Sequence, residues 1–519
     1  MNSDGPGART ASSPSLRVAV GVFLLISVLV LPLVLGLSMK RGLSHDEHQH
    51  IAAGTLIARE GLLPYRDFPH FHTPYLAFAY ALLFRVTDHL LTSARMLSVA
   101  CATALVGMIG SVAFCVFRPR GFNLAFRICA GSVLLALTSD LFTQTSGSAL
   151  NHDPALFLTV LAFLTHIAGL RANRSGWFVV SGILLGLAIG TRFTCAPLMA
   201  PFGLALWLFP LPGVWRWGRV FAFSGGLLLG TAGLVYMAAL APEQAYFGNV
   251  EFARVNIVYR FATGEPRTMT VLTKLRFFYK LIVRPDIGLF LVGLLPLIGA
   301  YLAQRGTANR WRFELRFALL TLPFILVGSF APSPLFDQYF YPLVAFLIFI
   351  GLYALSSIAS ESPWFLRTAF ACLAATLLNT ALGISDYKDV RDFLMRDNWD
   401  TEKLHRNAAE LRTTVPAGKV LTLAPLYPLE AGLSIYPPFT TGAIAWRVAP
   451  YVDEAKARRL HMVTPDTLVS LLNADPPAAV LVGHEKTGEE PFTKYATQHG
   501  YRKVPFGNRE SIWVRPAAQ

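Results

Sequence analysis

Apolar residues in the first three quarters of the chain are grouped into runs of about 18 to 23, the length a helix needs to cross roughly 30 Å of hydrocarbon. This pattern predicts eleven spans, at residues 17–39, 94–117, 124–145, 154–170, 176–193, 195–209, 219–240, 287–303, 315–332, 338–358 and 364–385. Residues 1–16, rich in Gly, Ser and Pro, are predicted to be a disordered cytoplasmic tail. The sequence therefore predicts an α-helical polytopic membrane protein.

Composition agrees with this prediction and narrows the functional classes. With 54% hydrophobic and 15% charged side chains over 519 residues, the chain is too apolar for a soluble multidomain protein. The formal charge of +14 comes with arginines at span ends, which set membrane orientation and do not indicate nucleic-acid binding. The five cysteines fall inside apolar runs without metal-ligand spacing, so they are expected to be buried hydrophobes.

Orientation depends on one short apolar segment, residues 74–86. It contains Arg85 and is too short to span, so we expect an interfacial helix. The arginine-rich turns then fall on the cytoplasmic side, which leaves residues 40–93 as the first external loop and residues 386–519 as an external domain. Helices at 404–413, 467–473 and 491–499 alternate there with strands at 419–424, 478–482 and 511–514, a pattern typical of a small α/β domain.

The first external loop opens with Ser44-His45-Asp46-Glu47. Ser-x-x-Glu is the capping-box pattern, and it predicts a helix that runs to Glu60 and stops at Gly61. Asp46 and His50 are four residues apart and share a face of that helix. Such a pair is a metal site, an oriented base or an ordinary surface pair, and spacing alone does not separate the three.

A second acidic site opens the fourth predicted span at Asn151-His152-Asp153-Pro154. Asp before Pro in a first turn is ordinary capping, so this segment by itself reads equally as a cap or a site. The predicted orientation, however, places Asp153 on the same side as Asp46. Ionisable groups at a membrane mouth are by default candidates for function.

The order of these parts closely resembles the GT-C polytopic glycosyltransferases. The resemblance rests on the acidic pair after the first span, the segment Gly61-Leu62-Leu63-Pro64-Tyr65-Arg66-Asp67, the tripeptide His72-Thr73-Pro74 and Asp153-Pro154. It extends over about residues 17–358, and the bacterial protein O-mannosyltransferases and lipid A aminoarabinose transferases look like the nearest branches. It implies transfer of a sugar from a polyprenyl-phosphate donor to a lipid, glycan or protein hydroxyl on the external face of a bacterial inner membrane.

The resemblance also implies roles for particular residues. Asp46 matches the family's first-loop aspartate and would be the general base, with Glu47 beside it and Asp153 as the second acidic site. Candidate ligands of the donor phosphate are Arg192, which stands where the family has lysine, Arg254, Arg260 and Tyr339. Candidate substrate-binding residues are His50, Tyr65, Arg66, Asp67, His70 and His72.

Several alternatives stay open at this point. Arg254 and Arg260 are equally suited to lipid headgroups, and Tyr339 to an aromatic belt. A divalent cation, Mg²⁺ or Mn²⁺, would suit Asp46 and Asp153, whereas histidines would favour a softer ion; because His72 departs from the family pattern, no zinc site is carried over. A transporter is the rival function. The sequence shows no internal repeat and its acids lie at span mouths, and both observations argue against a transporter. An inactive scaffold of the same fold is the third alternative.

Overall fold

The computed structural model describes residues 16–209, 216–264, 270–283, 285–304, 311–507 and 510–516. The predicted tail therefore lies outside the described residues apart from Leu16. The first ten helices are α1 (Leu16–Met39), α2 (Glu47–Glu60), α3 (Tyr75–Leu83), α4 (Leu90–Phe117), α5 (Phe122–Thr138), α6 (Asp140–Thr145), α7 (His152–Ala172), α8 (Ser175–Thr191), α9 (Met199–Leu208) and α10 (Arg216–Leu240).

Seven more helices complete the bundle: α11 (Pro242–Tyr246), α12 (Phe252–Ala262), α13 (Val271–Val283), α14 (Ile287–Ala303), α15 (Phe313–Phe330), α16 (Pro342–Ser356) and α17 (Pro363–Gly383). By length and composition, seven helices of the described chain are suited to cross a membrane, or eight if α13 and α14, bent by 83°, count as one span. Three shorter apolar helices lie at Phe122–Thr138, Ser175–Thr191 and Phe193–Leu208. The protein is thus a polytopic helical membrane protein; each predicted span contains a helix, and the count of eleven spans stays a prediction.

The predicted span 124–145 is wrong at its C-terminal end. The helix breaks at Ser139, so α5 ends at Thr138 and α6 starts a new direction. The cause is the buried carboxylate of Asp286, which accepts hydrogen bonds from the Ser139 hydroxyl (2.6 Å) and from the backbone amides of residues 140 (2.9 Å) and 141 (3.1 Å). These amides belong to the unpaired first turn of a helix, which a carboxylate satisfies well.

The first loop contains the helices expected there. Helix α2 ends at Glu60, and Gly61 follows with φ 69°, a left-handed conformation that costs glycine little. Helix α3 has nine residues and is therefore about 13 Å long, too short to cross a bilayer. The Tyr75 hydroxyl fixes it to α10 by donating to the Gly230 carbonyl (2.8 Å) and accepting from the Leu234 amide (3.0 Å).

Helices α8 and α10 approach closely through glycines spaced four residues apart on each helix. A Cβ at Gly182 would lie 2.2 Å from the Phe223 carbonyl oxygen, and one at Gly226 would lie 2.1 Å from the Val179 carbonyl oxygen. Small residues at this spacing let helix backbones touch in a membrane, where dispersion replaces the hydrophobic effect as the packing force. This packing sets the position of the α8 terminus, where Arg192 follows.

The C-terminal region is a mixed sheet with surrounding helices. Its helices are α18 (Asp400–Thr414), α19 (Leu426–Glu430), α20 (Ala443–Val448), α21 (Glu454–Arg459), α22 (Pro465–Ala474) and α23 (Glu490–Gln498). Its strands are β1 (Lys419–Thr422), β2 (Ser434–Ile435), β3 (Ala479–Val482), β4 (Arg502–Phe506) and β5 (Glu510–Val514), in the order β2-β1-β3-β5-β4. Strand β1 runs parallel to β2 and β3, and β5 runs antiparallel to β3 and β4.

All six predicted elements of this region are present, and the sequence missed the two edge strands. β2 has only two residues and β4 contains Pro505 and mostly exposed side chains, so neither shows the apolar pattern of a central strand. The region packs on the first loop through an apolar interface that includes Leu404, Leu426, Leu429 and Ile435 on one side and Ile51, Leu56, Leu90 and Leu91 on the other.

A buried ion pair ties the first loop to the bundle. Both side chains of Arg95 and Glu47 have no exposed surface, and they form two hydrogen bonds of 2.9 and 2.8 Å. Arg95 also donates to backbone carbonyls of residues 38, 41 and 42, while Glu47 accepts from the Ala149 amide at 2.7 Å. The pair therefore joins the end of α1, the start of α2, α4 and the segment before α7.

Replacing Arg95 by Met should destabilise the fold, because Glu47 would stay buried without its cation, which costs about 3–5 kcal/mol. Unfolding of the detergent-purified chain measures the change. Arg458→Met is the matched control, since Arg458 lies at the surface and pairs there with the exposed Glu454. The double variant Glu47→Leu, Arg95→Met should recover part of the loss, and equal stability of Arg95→Met and wild type would contradict the role assigned to the pair.

Candidate active site

Asp46 occupies the N-cap position of α2, where it is partly buried. Within the described part of the chain, its carboxylate forms no hydrogen bond or ion pair. Burial raises the pKa of Asp46, and the charges of His45, Arg260 and Arg447 partly offset that rise. An unengaged carboxylate with a raised pKa has the properties of a general base.

Glu47 is placed differently, although it is the next residue. Both its oxygens are engaged by Arg95, and they also accept from the Ser44 amide (2.7 Å) and the Ala149 amide. The Ser44 side chain makes no capping bond, so only the glutamate half of the predicted capping box forms. Burial raises the pKa of Glu47, but the Arg95 charge and hydrogen bonds outweigh it and hold the pKa below the usual value.

Asp153 is buried in the first turn of α7 with both oxygens occupied. Oδ2 accepts from the Gly147 amide (2.8 Å) and Oδ1 from the Tyr341 hydroxyl (2.9 Å). The aspartate therefore connects α7 to the preceding turn and to α16. Asp46 alone among the three predicted catalytic acids has an unengaged carboxylate, which by itself offers few ligands to Mg²⁺ or Mn²⁺, so the divalent cation stays a prediction.

Arg192 and Tyr339, both predicted to bind the donor phosphate, lie together. Arg192 follows α8, donates through Nε to Thr194 (2.8 Å), contacts His152 Nδ1, and its guanidinium carbon lies 5.3 Å from the Tyr339 ring centroid. The His152 and Tyr339 rings stack at 6.2 Å. No carboxylate pairs with Arg192 among the residues that the structure describes, so its charge is available to an anion.

Three histidines of the first loop form a buried cluster. The His50 and His72 rings lie 4.7 Å apart, and those of His70 and His72 lie 6.4 Å apart. Burial lowers the pKa of His70 to about 3 and that of His72 to about 4, and the Arg192 charge adds to the effect on His72. These imidazoles are consequently neutral at physiological pH and act through hydrogen bonds.

The remaining predicted residues of the first loop shape its turn. The Tyr65 backbone has φ 67°, and its buried hydroxyl donates to the His72 carbonyl and accepts from Asn249 (2.9 Å). Arg66 and Asp67 pair with each other at 2.7 Å near the surface, and Asp67 accepts from the Leu63 amide. The observed contacts of Arg66 and Asp67 are therefore within the turn.

The two arginines of α12 have different surroundings. Arg260 acts electrostatically on both Asp46 and Tyr339, which brings it to the candidate site. Arg254 is exposed, six residues earlier on the helix and hence about 120° around its axis. Only Arg260 is thus placed with the other site residues.

The C-terminal region contributes side chains that the sequence did not indicate. His45 Nδ1 lies 2.9 Å from the carboxylate of Glu485, in the loop after β3, and Glu485 also pairs with Arg447 of α20. Arg447 Nη1 lies 3.4 Å from His45 Nε2, which places its charge beside Asp46. These residues are separated from the first loop by some 400 positions, so no local pattern could reveal them.

No protein-family model matches this sequence, and no curated protein matches it. Solved structures do. ArnT from Cupriavidus metallidurans bound to undecaprenyl phosphate superimposes with a TM-score of 0.58 and 15% identity over 97% of this chain and 99% of that one. The apo state of the same protein gives 0.58 and 16% over 95% and 97%. An Archaeoglobus fulgidus oligosaccharyltransferase tethered to an acceptor peptide gives 0.45 and 12% over 89% and 69%.

The agreement with ArnT covers nearly the full length of both chains, including the C-terminal region. At this level of identity it establishes architecture, and it confirms at the level of the fold the resemblance drawn from the first loop and Asp153-Pro154. The chain therefore has the fold of the GT-C polytopic glycosyltransferases.

Proposed function

We propose that this protein is a membrane glycosyltransferase that moves a sugar from a polyprenyl-phosphate donor to a lipid, glycan or protein hydroxyl. One observation carries the proposal: the unengaged carboxylate of Asp46 and the guanidinium of Arg192, which pairs with no carboxylate of the described chain, both act electrostatically on Tyr339, and the guanidinium lies 5.3 Å from its ring. A base and a phosphate-binding cation near one position are what displacement at an anomeric carbon requires.

The donor phosphate would bind at Arg192, with Arg260 adding positive charge. The guanidinium can form two parallel hydrogen bonds to phosphate oxygens, and the neutral His50 and His72 beside it can donate more. The undecaprenyl phosphate bound to ArnT supports a ligand of this class, because that chain shares the fold. The polyprenyl tail would lie along the apolar helices.

In the proposed reaction, Asp46 removes the proton from the acceptor hydroxyl as its oxygen bonds to the anomeric carbon. The bond from that carbon to the phosphate oxygen breaks, and the phosphate leaves with the electron pair, so the configuration inverts. Phosphate is a good leaving group and needs no acid. Glu47 and Asp153 would act as positioning residues, through Arg95 and Tyr341 respectively.

The orientation proposed for the chain follows the arginine distribution: the first loop and residues 386–519 face the periplasm or cell exterior of a bacterial inner membrane. Mass spectrometry of envelope glycolipids and glycoproteins tests the function. A strain lacking the gene should lose a sugar from one class, and complementation should restore it. Unchanged glycans together with altered solute uptake would instead favour the transporter.

Asp46→Asn should lower the transfer rate by about 10²–10⁴-fold, the usual contribution of a general base. The rate is measured in membranes of the complemented strain, which contain native donor and acceptor. Glu60→Gln is the matched control, since Glu60 is an exposed carboxylate at the other end of α2. A stably expressed Asp46→Asn protein with the wild-type rate would exclude Asp46 as the base.

Arg447→Met should shift the pH dependence of transfer. A base must be deprotonated, so the rate rises with pH through the pKa of Asp46, which burial holds above its ordinary value. Removing a nearby cation raises an acid's pKa, and the rising limb should move to higher pH by up to about one unit. Arg502→Met, an exposed substitution on β4, should leave the profile in place. A shift toward lower pH would contradict the assignment.

Arg192→Gln should weaken binding of undecaprenyl phosphate to the purified chain by about 10- to 100-fold, the worth of one or two charge-assisted hydrogen bonds. Titration followed by native mass spectrometry measures the affinity. Arg174→Gln provides the comparison, because Arg174 is exposed at the opposite end of α8. Equal affinities for the two variants would remove Arg192 from the phosphate site.

A further inference from the structure

A second cluster of ionisable side chains lies where the C-terminal region meets the start of α4. It consists of His89, which precedes α4, His405 of α18 and Glu430, the last residue of α19. One ligand atom from each lies within 4.8 Å of the others. We propose that these three side chains bind a Zn²⁺ ion that holds the C-terminal region on the first loop.

The geometry is close to that of a zinc site. A tetrahedral zinc with metal–ligand distances of about 2.0–2.2 Å holds its ligand atoms roughly 3.3–3.6 Å apart. His405 Nδ1 and Glu430 Oε1 are 2.8 Å apart, and the His89 and His405 rings stack with centroids at 3.9 Å. Because a metal lies in the plane of each imidazole that binds it, the stacked His89 and His405 rings would turn apart when the ion binds.

A fourth ligand is at hand. Glu402 lies three residues before His405 and shares its face of α18; its Oε1 is 3.4 Å from His89 Nδ1 and accepts from Arg396 at 3.0 Å, a bond that metal binding would replace. Its side chain is largely buried, as is that of Glu430. Glu402 lies outside the group of three, and with its carboxylate turned inward the two imidazoles and two carboxylates would supply the four ligands of a closed zinc site.

The surroundings of the cluster carry both signs of charge, because Arg59 acts on Glu430 and Arg396 pairs with Glu402. Glu430 brings a carboxylate to a nearly inaccessible position, where it accepts from the Leu90 amide (3.0 Å) and the Leu91 amide (3.2 Å). These bonds hold the carboxylate in place, as hydrogen-bond partners commonly do for the side chains that bind a metal. Its Oε1 still faces His405. A cleft of about 430 Å³ reaches His405 and Glu430 from the surface, and Asp88, Arg59 and Arg412 also line it.

The site would act through orientation. The same C-terminal region carries Arg447 and Glu485, which contact His45 beside Asp46. A metal joining residues 89, 405 and 430 would fix this region relative to the first loop at a point remote from those contacts. Metal binding at this site does not depend on the proposed transfer reaction.

The test uses the full-length chain purified in detergent, exposed to ZnSO₄ and freed of unbound metal. Elemental mass spectrometry should find close to one zinc per chain for wild type, and less than about one fifth of that for the variant His89→Ala, His405→Ala. His499→Ala, an exposed histidine of α23's C-terminal end, should retain the wild-type content. Cobalt substitution should give the visible absorption of a tetrahedral site in wild type alone.

Two outcomes would overturn the proposal: a wild-type chain that binds no zinc, or a double variant that keeps its zinc. If the double variant does not fold, wild type alone still decides. A chelator should then lower its thermal unfolding midpoint and zinc should restore it, and a midpoint insensitive to both would refute the site.

Discussion

The burial of one ion pair, Arg95 with Glu47, determines where the candidate base can lie. A charge without its partner is costly in a site with no exposed surface, so neither residue can leave the other without destabilising the fold. Arg95 spends its remaining donors on the carbonyls of residues 38, 41 and 42, which fixes the turn between α1 and α2. Because Asp46 is adjacent to Glu47, its backbone is held in place, while its own carboxylate stays unengaged. Glu47 thus holds the backbone in place, and the neighbouring Asp46 keeps the carboxylate that can react.

The same division holds across the site. Asp153 satisfies its oxygens with Gly147 and Tyr341, and the first-loop histidines are held neutral by burial. In the described part of the site, Arg192 and Asp46 form no ion pair; their charges are of opposite sign, and both act on Tyr339. In a low-dielectric site, a charge without a partner costs free energy unless a bound ligand neutralises it. The presence of two such charges therefore indicates a binding site.

Prediction from sequence succeeded where the physics is local. A span must satisfy its backbone within one helix, so apolar runs located the helices, and Gly61 located the end of α2. It failed where a distant side chain decides: α5 stops at Thr138 because Asp286, some 150 residues later, caps the next turn. The Ser44-x-x-Glu47 pattern predicted the helix start, but it could not show that Glu47 pairs with Arg95, 48 residues on, and therefore that Asp46 is the free acid.

The C-terminal region shows most clearly what local patterns omit. Alternating helices and strands were enough to predict a small α/β unit, yet its contacts with the first loop arise from positions hundreds of residues apart. The apolar interface around Leu404 and Leu426 holds the two parts together but does not fix their relative orientation, because the hydrophobic effect depends on the buried area and is not directional. Hydrogen bonds and ion pairs are directional, and they occur on both sides of that interface: Glu430 on the α4 amides at one end, and Glu485 with Arg447 on His45 at the other. Two directional contacts at separated points restrict rotation as well as separation. The position of Arg447 beside Asp46 therefore depends on the contact at Glu430 as much as on its own.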